Sequence, residues 1–220
     1  MAVNYGQNKK AWHNKAVPDC GRSEVKFLDN YVKVILYTYS RFEELEKEYE
    51  SHIFFKALTS YDYRLSTQKT AEYLAGQIIE KVGLKSLREM VDKALKELSE
   101  EEMLLLSMRY FGKIDRLKRT LKNIDEKYTD KKEKREVIER TFGINRVFSE
   151  RSYFRKQKIL LEKITRKLKA LGLDEDTFEK KYAGFSFFTA VKRYIELGKE
   201  VSITQKELDF IALLKDVLWG

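Results

Sequence analysis

Apolar residues recur at threes and fours along most of the chain and almost nowhere at twos. Leu28, Tyr31, Val32, Ile35, Tyr39, Phe42, Leu45, Tyr49 and Ile53 fall on one helical stripe. The pattern predicts a long helix opening at Ser23, a suitable N-cap, with Glu24 in the first turn where the helix dipole favours a carboxylate. Its second half, Glu43 to Glu50, is acidic and is expected to face water. Leu58 to Ser66 breaks the pattern and reads as a connection. Thr67 is positioned to cap a second helix running to Val82, with Gly83 as a left-handed stop. A short helix follows from Ser86, carrying Leu87, Met90, Val91, Ala94, Leu95 and Leu98.

Ser99-Glu100-Glu101-Glu102 has the form of a capping box ahead of Met103-Leu104-Leu105-Leu106. That helix is apolar nearly all round, which predicts a central position, and Gly112 ends it. Lys113–Tyr128 and Asp130–Phe142 read as two basic helices with a polar joint at Thr129-Asp130. Gly143-Ile144-Asn145 is a turn, and a long helix runs from Ser149 to Leu171, stopped by Gly172. Beyond it Phe178, Tyr182, Phe185, Phe187, Phe188, Val191, Tyr194, Ile195 and Leu197 predict one or two short packed helices. Thr204-Gln205-Lys206-Glu207 reads as a second capping box, opening a last helix with Leu208, Ile211, Leu214 and Leu218. No segment alternates with period two between turn dipeptides. The fold class is all-α. The organisation is a polar arm over 1–22, an N-terminal helical segment over 23–82, a module over 86–171 and a C-terminal helical segment over 173–220.

Charge changes the picture of the module. The chain of 220 residues carries 44 Lys and Arg against 35 Asp and Glu. Residues 113–169 hold 20 of those basic groups and only 9 of the acidic ones, so this one region contains more than the whole excess. A concentrated basic segment is the electrostatic footprint of a polyanion binder, although a solvated lysine-rich surface has the same composition. Residues 1–20 lack the apolar stretch of a signal peptide, and no window is apolar enough to span a bilayer. A cytoplasmic protein without a membrane partner is the expectation.

The usual catalytic patterns do not occur. There is no Gly-x-Gly-x-x-Gly, no P-loop, no His-Glu-x-x-His pair and no Gly-x-Ser-x-Gly elbow. Glu100, Glu101 and Glu102 point in different directions at consecutive helical positions, and the first-turn dipole accounts for them. One cysteine, Cys20, and two histidines, His13 and His52, leave no ligand set at metal spacing. The expectation is a protein that is no enzyme, has no cofactor and carries neither catalytic nor metal-binding residues. Trp12 lies in a basic arm with Lys9, Lys10 and Lys15, where it would stack or insert if the arm met a ligand.

The helix from Ser149 is the most informative segment. Advancing about 100° per residue from Arg151 brings Arg155, Lys158, Glu162, Arg166 and Lys169 within about 60° of it. Tyr153, Phe154, Gln157, Leu160, Leu161, Ile164, Leu168 and Leu171 gather on the opposite side. A recognition helix has this layout: its N-terminal residues enter the major groove while its apolar face rests on preceding helices. Arginine reads guanine bidentately, and Ser149 or Ser152 suits a phosphate or a base edge. The candidate DNA-contacting residues are Arg146, Ser149, Arg151, Ser152, Arg155, Lys156, Lys158 and Arg166. An ordinary amphipathic surface helix shares the periodicity.

Leu98-Ser99-Glu100-Glu101-Glu102-Met103-Leu104-Leu105-Leu106-Ser107-Met108-Arg109-Tyr110-Phe111 resembles the first helix of region 4 in bacterial sigma factors and in sigma-like phage regulators. Ser149-Glu150-Arg151-Ser152-Tyr153-Phe154-Arg155 resembles the start of their recognition helix, and Glu136–Ile144 their supporting helix and turn. The likeness covers about a third of the chain. The sequence departs from the pattern by an additional basic helix between Gly112 and Lys132 and by a longer turn, with Asn145-Arg146-Val147 inserted. Residues 23–82 do not resemble the sigma region that melts the −10 element. The resemblance implies a helix-turn-helix regulator of transcription, sigma-like rather than a full sigma factor, from a phage or mobile element. Duplex DNA is the implied partner, with RNA polymerase as a further one. The flanking N- and C-terminal helices would pack on the module or form a homodimer. The rival readings are a scaffold protein whose basic segment is only solvated surface, and an RNA-binding helical protein that uses the same excess of charge.

Overall fold

A computed structural model describes residues 30–62, 67–144, 148–188, 191 and 200–219. Every regular element among them is a helix: α1 Asn30–Tyr39, α2 Phe42–Asp62, α3 Thr67–Leu95, α4 Glu100–Arg109, α5 Ile114–Lys127, α6 Lys131–Phe142, α7 Glu150–Ala170, α8 Glu175–Lys181 and α9 Glu200–Trp219. No helix among the described residues is long and apolar enough to cross a membrane. The arm over 1–22, the cap at Ser23, and Tyr194, Ile195 and Leu197 lie outside the described residues.

The first long helix is in fact two. Thr38 is buried and its hydroxyl donates to the Val34 carbonyl at 2.8 Å, while the Arg41 N–H turns back to the Thr38 carbonyl at 2.9 Å. Helical continuity is interrupted there, at Ser40-Arg41. The expected stop at Gly83 is absent, and α3 runs through it. A Cβ at Gly83 would lie 2.6 Å from the ring of Phe185, so glycine is required there by a close aromatic neighbour rather than by a turn. Phe185 belongs to an aromatic cluster with Tyr182, Phe187, Phe178 and Phe188 that closes this side of the core.

The capping box at the head of α4 forms as expected: Ser99 accepts from the Glu102 N–H and the Glu102 carboxylate accepts from the Ser99 N–H. Asp130 and Ser149 cap α6 and α7 by a single bond each, accepting the Glu133 and Ser152 N–H groups. Gly143 ends α6 in the left-handed region, φ 67°, and a side chain there would collide with Glu100, so the end of α6 presses on the first turn of α4. The apolar helix α4 is central. Leu104, Leu105, Leu106 and Met108 are buried, and α5, α6, α7 and α9 all pack on it. α7 lies across α3, α1 and α4, and α2 and α3 form an antiparallel hairpin.

The last helix begins at Glu200, four residues ahead of the expected capping box, and Glu207 has another role. It is wholly buried and its carboxylate accepts from Arg109 Nη1 of α4 at 3.0 Å. The buried Tyr153 hydroxyl of α7 also bonds it, and burial followed by the Glu207 charge drives that phenol well above its ordinary pKa. Gln157 extends the chain of contacts, donating from Nε2 to Tyr153 Oη at 3.0 Å and to the Leu105 carbonyl at 2.8 Å.

Removing one partner of a buried ion pair leaves the other charge uncompensated, at a cost of about 3–5 kcal/mol. Glu207→Ala is therefore expected to lower urea-unfolding stability by about that amount. The double change Arg109→Met with Glu207→Leu is expected to cost less than the two single losses added together. Additive losses would show that the two residues do not act as a pair.

Candidate nucleic-acid interface

Two sides of α7 carry positive charge, and the fold uses them differently. Along the inner flank, Lys156 pairs with Glu101, Lys163 with Glu102 at 2.7 Å, and Lys167 with Glu97 at 2.5 Å. Lys156 also sits over the Phe148 ring, 4.8 Å from its centroid. These lysines are spaced by seven and four residues, so they recur on one line of the helix. They fasten α7 to the end of α3 and the first turn of α4. The acidic run at Glu101-Glu102 thus complements lysines as well as the dipole of α4.

The outer line stays in solvent. Arg151, Arg155, Lys158, Glu162, Arg166 and Lys169 are all exposed, whereas Tyr153, Gln157, Leu160, Leu161, Ile164 and Leu168 are buried. The division expected from the helical angle holds at all of these positions. It fails at Phe154 and Leu171, which were expected inside but are 39% and 38% exposed. Phe154 stands about 60° from Arg151, at the edge of the charged stripe rather than opposite it, and Leu171 follows the last turn of α7. The first turn of α7 is open, with Ser149, Glu150 and Arg151 exposed.

The eight expected contact residues therefore separate into groups. Arg151, Arg155, Lys158 and Arg166 share the exposed stripe, with Arg166 Nε reaching the Glu162 carbonyl at 3.4 Å. The Ser149 oxygen accepts the Ser152 N–H at 3.2 Å, so it serves the helix end, and Ser152 is half-buried. Lys156 is engaged by Glu101 and Phe148. Arg146 lies outside the described residues. Sequence reasoning missed the pairing of Lys163 and Lys167 with Glu102 and Glu97, which no spacing signals: the glutamates are five residues apart and the lysines four. The supporting and recognition helices of the expected helix-turn-helix correspond to α6 and α7. Both pack on α4, and the packing between them is sparser. Further exposed basic groups occur on α5 at Arg116 and Lys122 and on α6 at Lys132, Arg135 and Arg140.

One cleft of about 430 Å³ lies between α4 and α7, lined by Glu101, Glu102, Lys156 and Lys163, and a second lies away from the stripe. The second also encloses about 430 Å³, between α1, α2 and α3, with Tyr37, Arg41, Glu48 and Tyr49 in its wall and the exposed His52 at its rim. Burial and a hydrogen bond to Glu80 push the Tyr49 hydroxyl up to about 12. No residue of α7 lines this second cleft. Among the described residues no three His, Cys, Asp or Glu side chains gather as a metal site.

The lysine pairs make the seating of α7 sensitive to acid. Burial alone would raise the Glu102 carboxyl, but the hydrogen bonds from Lys163 and Ser99 outweigh it and hold the group below 4.5. Lys167 likewise lowers Glu97. A carboxylate whose folded pKa is depressed stabilises the fold above its unfolded pKa, and the stabilisation disappears as pH falls through the folded value. The thermal midpoint should thus hold steady above the ordinary carboxylate value and drop on acidification below it. Lys163→Met should flatten that acid limb; an unchanged limb would mean that these pairs contribute nothing to it.

No protein-family model, curated protein or solved structure matches the chain.

Proposed function

We propose that the protein binds duplex DNA in a sequence-specific manner and regulates transcription, with α7 as its recognition helix. The observation that carries this reading is the exposed stripe of Arg151, Arg155, Lys158, Arg166 and Lys169, which starts in the open first turn of α7. The opposite face of the same helix is locked into the core by Tyr153, Gln157, Leu160 and Ile164. A reading helix needs both properties: its arginines must reach base edges, and its backbone must be held so that they arrive in register. The resemblance of Leu98–Phe111 and Ser149–Arg155 to sigma region 4 supports the same assignment, and RNA polymerase would then be a second partner.

Within the stripe the residues have different roles. Arg151 and Arg155 lie in the first two turns, where a recognition helix meets base edges. Lys158, Arg166 and Lys169 lie farther along and meet phosphates. Lys156 and Lys163 contribute by holding α7 in place.

Two measurements test this. Affinity for duplex DNA should fall log-linearly with salt, with a slope of about −4 to −5 if about five phosphates are neutralised. Binding that ignores salt, or that prefers duplex RNA, would overturn the DNA assignment. Arg155→Ala should cost on the order of 1–3 kcal/mol on a preferred site selected from random sequences, and much less on random DNA. Lys169→Ala should weaken both equally and slightly. Melting should stay close to wild type in both variants, because neither exposed side chain supports the core. If both substitutions reduce specific and random binding alike, α7 is a charged surface and does not read sequence.

A further inference from the structure

We infer that the outer half of the α2–α3 hairpin is a dimer interface, and that its occupant is the same hairpin of a second copy of this chain. Seven of the eleven exposed large apolar side chains among the described residues lie on these two helices. Phe54, Phe55 and Leu58 of α2 are 61%, 62% and 51% exposed, and Ile78, Ile79 and Val82 of α3 are 47%, 64% and 62% exposed. Phe54 and Leu58 are one turn apart, as are Ile78 and Val82, so each helix presents a stripe rather than scattered residues.

The hairpin register staggers the two stripes along its length. Glu46 pairs with Arg88, Glu50 with Lys81, and Lys56 lies over the Tyr73 ring. That antiparallel alignment sets Phe54 and Phe55 level with Ala75 and Gly76, and leaves Ile78, Ile79 and Val82 nearer the base of the hairpin. Toward the core the same helices bury Phe42, Leu45 and Tyr49 on α2 and Leu84, Leu87 and Val91 on α3. The buried part of the hairpin is thus its base, and the apolar stripes belong to the part beyond it.

Three considerations select a second copy. A helix that is apolar on its outward side is ordinarily a buried helix. A two-helix hairpin with exposed apolar stripes is half of a four-helix bundle, and its self-complementary completion is a two-fold dimer. The exposed area is also of the right size: the six side chains leave on the order of 600 Å² of apolar surface per copy. A standard interface takes roughly 800 Å² per partner, so a modest polar rim would complete it. Charge argues in the same direction, because α3 carries no charged residue from Tyr73 to Ile79. That stretch of α3 offers no charge to a nucleic acid or to a charged peptide. The chain's own first 22 residues, with Lys9, Lys10, Lys15 and Arg22, match it poorly. The inference does not rest on the DNA-binding reading and stands or falls separately from it.

Sedimentation equilibrium of the full chain without DNA tests it. The expected result is a species of twice the 26.1 kDa chain mass, retained at high salt because the interface is apolar. Phe55→Glu and Ile79→Glu should each raise the dimer dissociation constant at least about 100-fold, the scale of burying an unpaired charge. Ile159→Glu, at another exposed apolar position, should leave the mass unchanged. A single-chain mass at all concentrations overturns the inference, including the case in which the chain's own N-terminal residues cover the face. A dimer indifferent to both hairpin variants, or aggregates of indefinite size, overturns it as well. If a glutamate variant loses its helical spectrum, a photo-crosslinking side chain at Ile79 decides: covalent dimers support the inference and crosslinks confined to one chain reject it.

Discussion

A carboxylate with no exposed surface sets the terms for the rest of the fold. Glu207 is tolerable in the interior only where Arg109 and the Tyr153 hydroxyl both reach it. Arg109 belongs to α4, Tyr153 to α7 and Glu207 to α9, so three helices distant in sequence must meet at one point. Apolar packing alone admits small slides and rotations between helices at little cost. A buried charge does not, because moving any of the three by a fraction of a hydrogen bond leaves it unsolvated. Gln157 adds direction to this contact. Its amide reaches both Tyr153 and the Leu105 carbonyl, which ties the rotation of α7 to the backbone of α4.

With its rotation set, α7 separates its charges. The lysine line at 156, 163 and 167 faces Glu101, Glu102 and Glu97, and the arginine-led line from 151 to 169 faces water. The net excess of the basic region is therefore not spread evenly over the helix. Neutralised lysines lie on one flank and available guanidinium and ammonium groups on the other. Since surface ion pairs individually contribute little, the lysine line matters less for overall stability than for keeping α7 seated along its length.

Much of this was legible in the sequence, and what was not has a common cause. The capping box at Ser99 is local, determined by residues three apart, and it forms where the sequence places it; Asp130 and Ser149, read as helix starts, cap α6 and α7. The two faces of α7 follow from helical angle alone. Gly83 and Glu207 were misread because their roles are set by distant partners. Gly83 accommodates Phe185, about a hundred positions away, and Glu207 meets Arg109 across a similar separation. A Thr-x-x-Glu spacing is a capping box only if the glutamate is near a helix start. Here α9 begins four residues early, which carries Glu207 into the helix body and into the core. At the candidate interface, the identity of the exposed residues could be read from the sequence. Which lysines were already engaged could not, because Glu97, Glu101 and Glu102 reach α7 only through the fold.

The continuity of α3 through Gly83 joins the two surfaces of interest. At 29 residues α3 is about 43 Å long. Its first part bears the exposed apolar stripe, its later part enters the core, and α7 packs on it. A stop at Gly83 would have placed a joint between hairpin and module, leaving their relative position to a linker. An unbroken helix places no such joint there, and Phe185 seated against the glycine secures it at that residue. Two copies joined through their hairpins would then hold their α7 helices at one separation and one relative angle. In that arrangement the spacing between two DNA half-sites would be dictated by the length and direction of α3 rather than by a flexible connection.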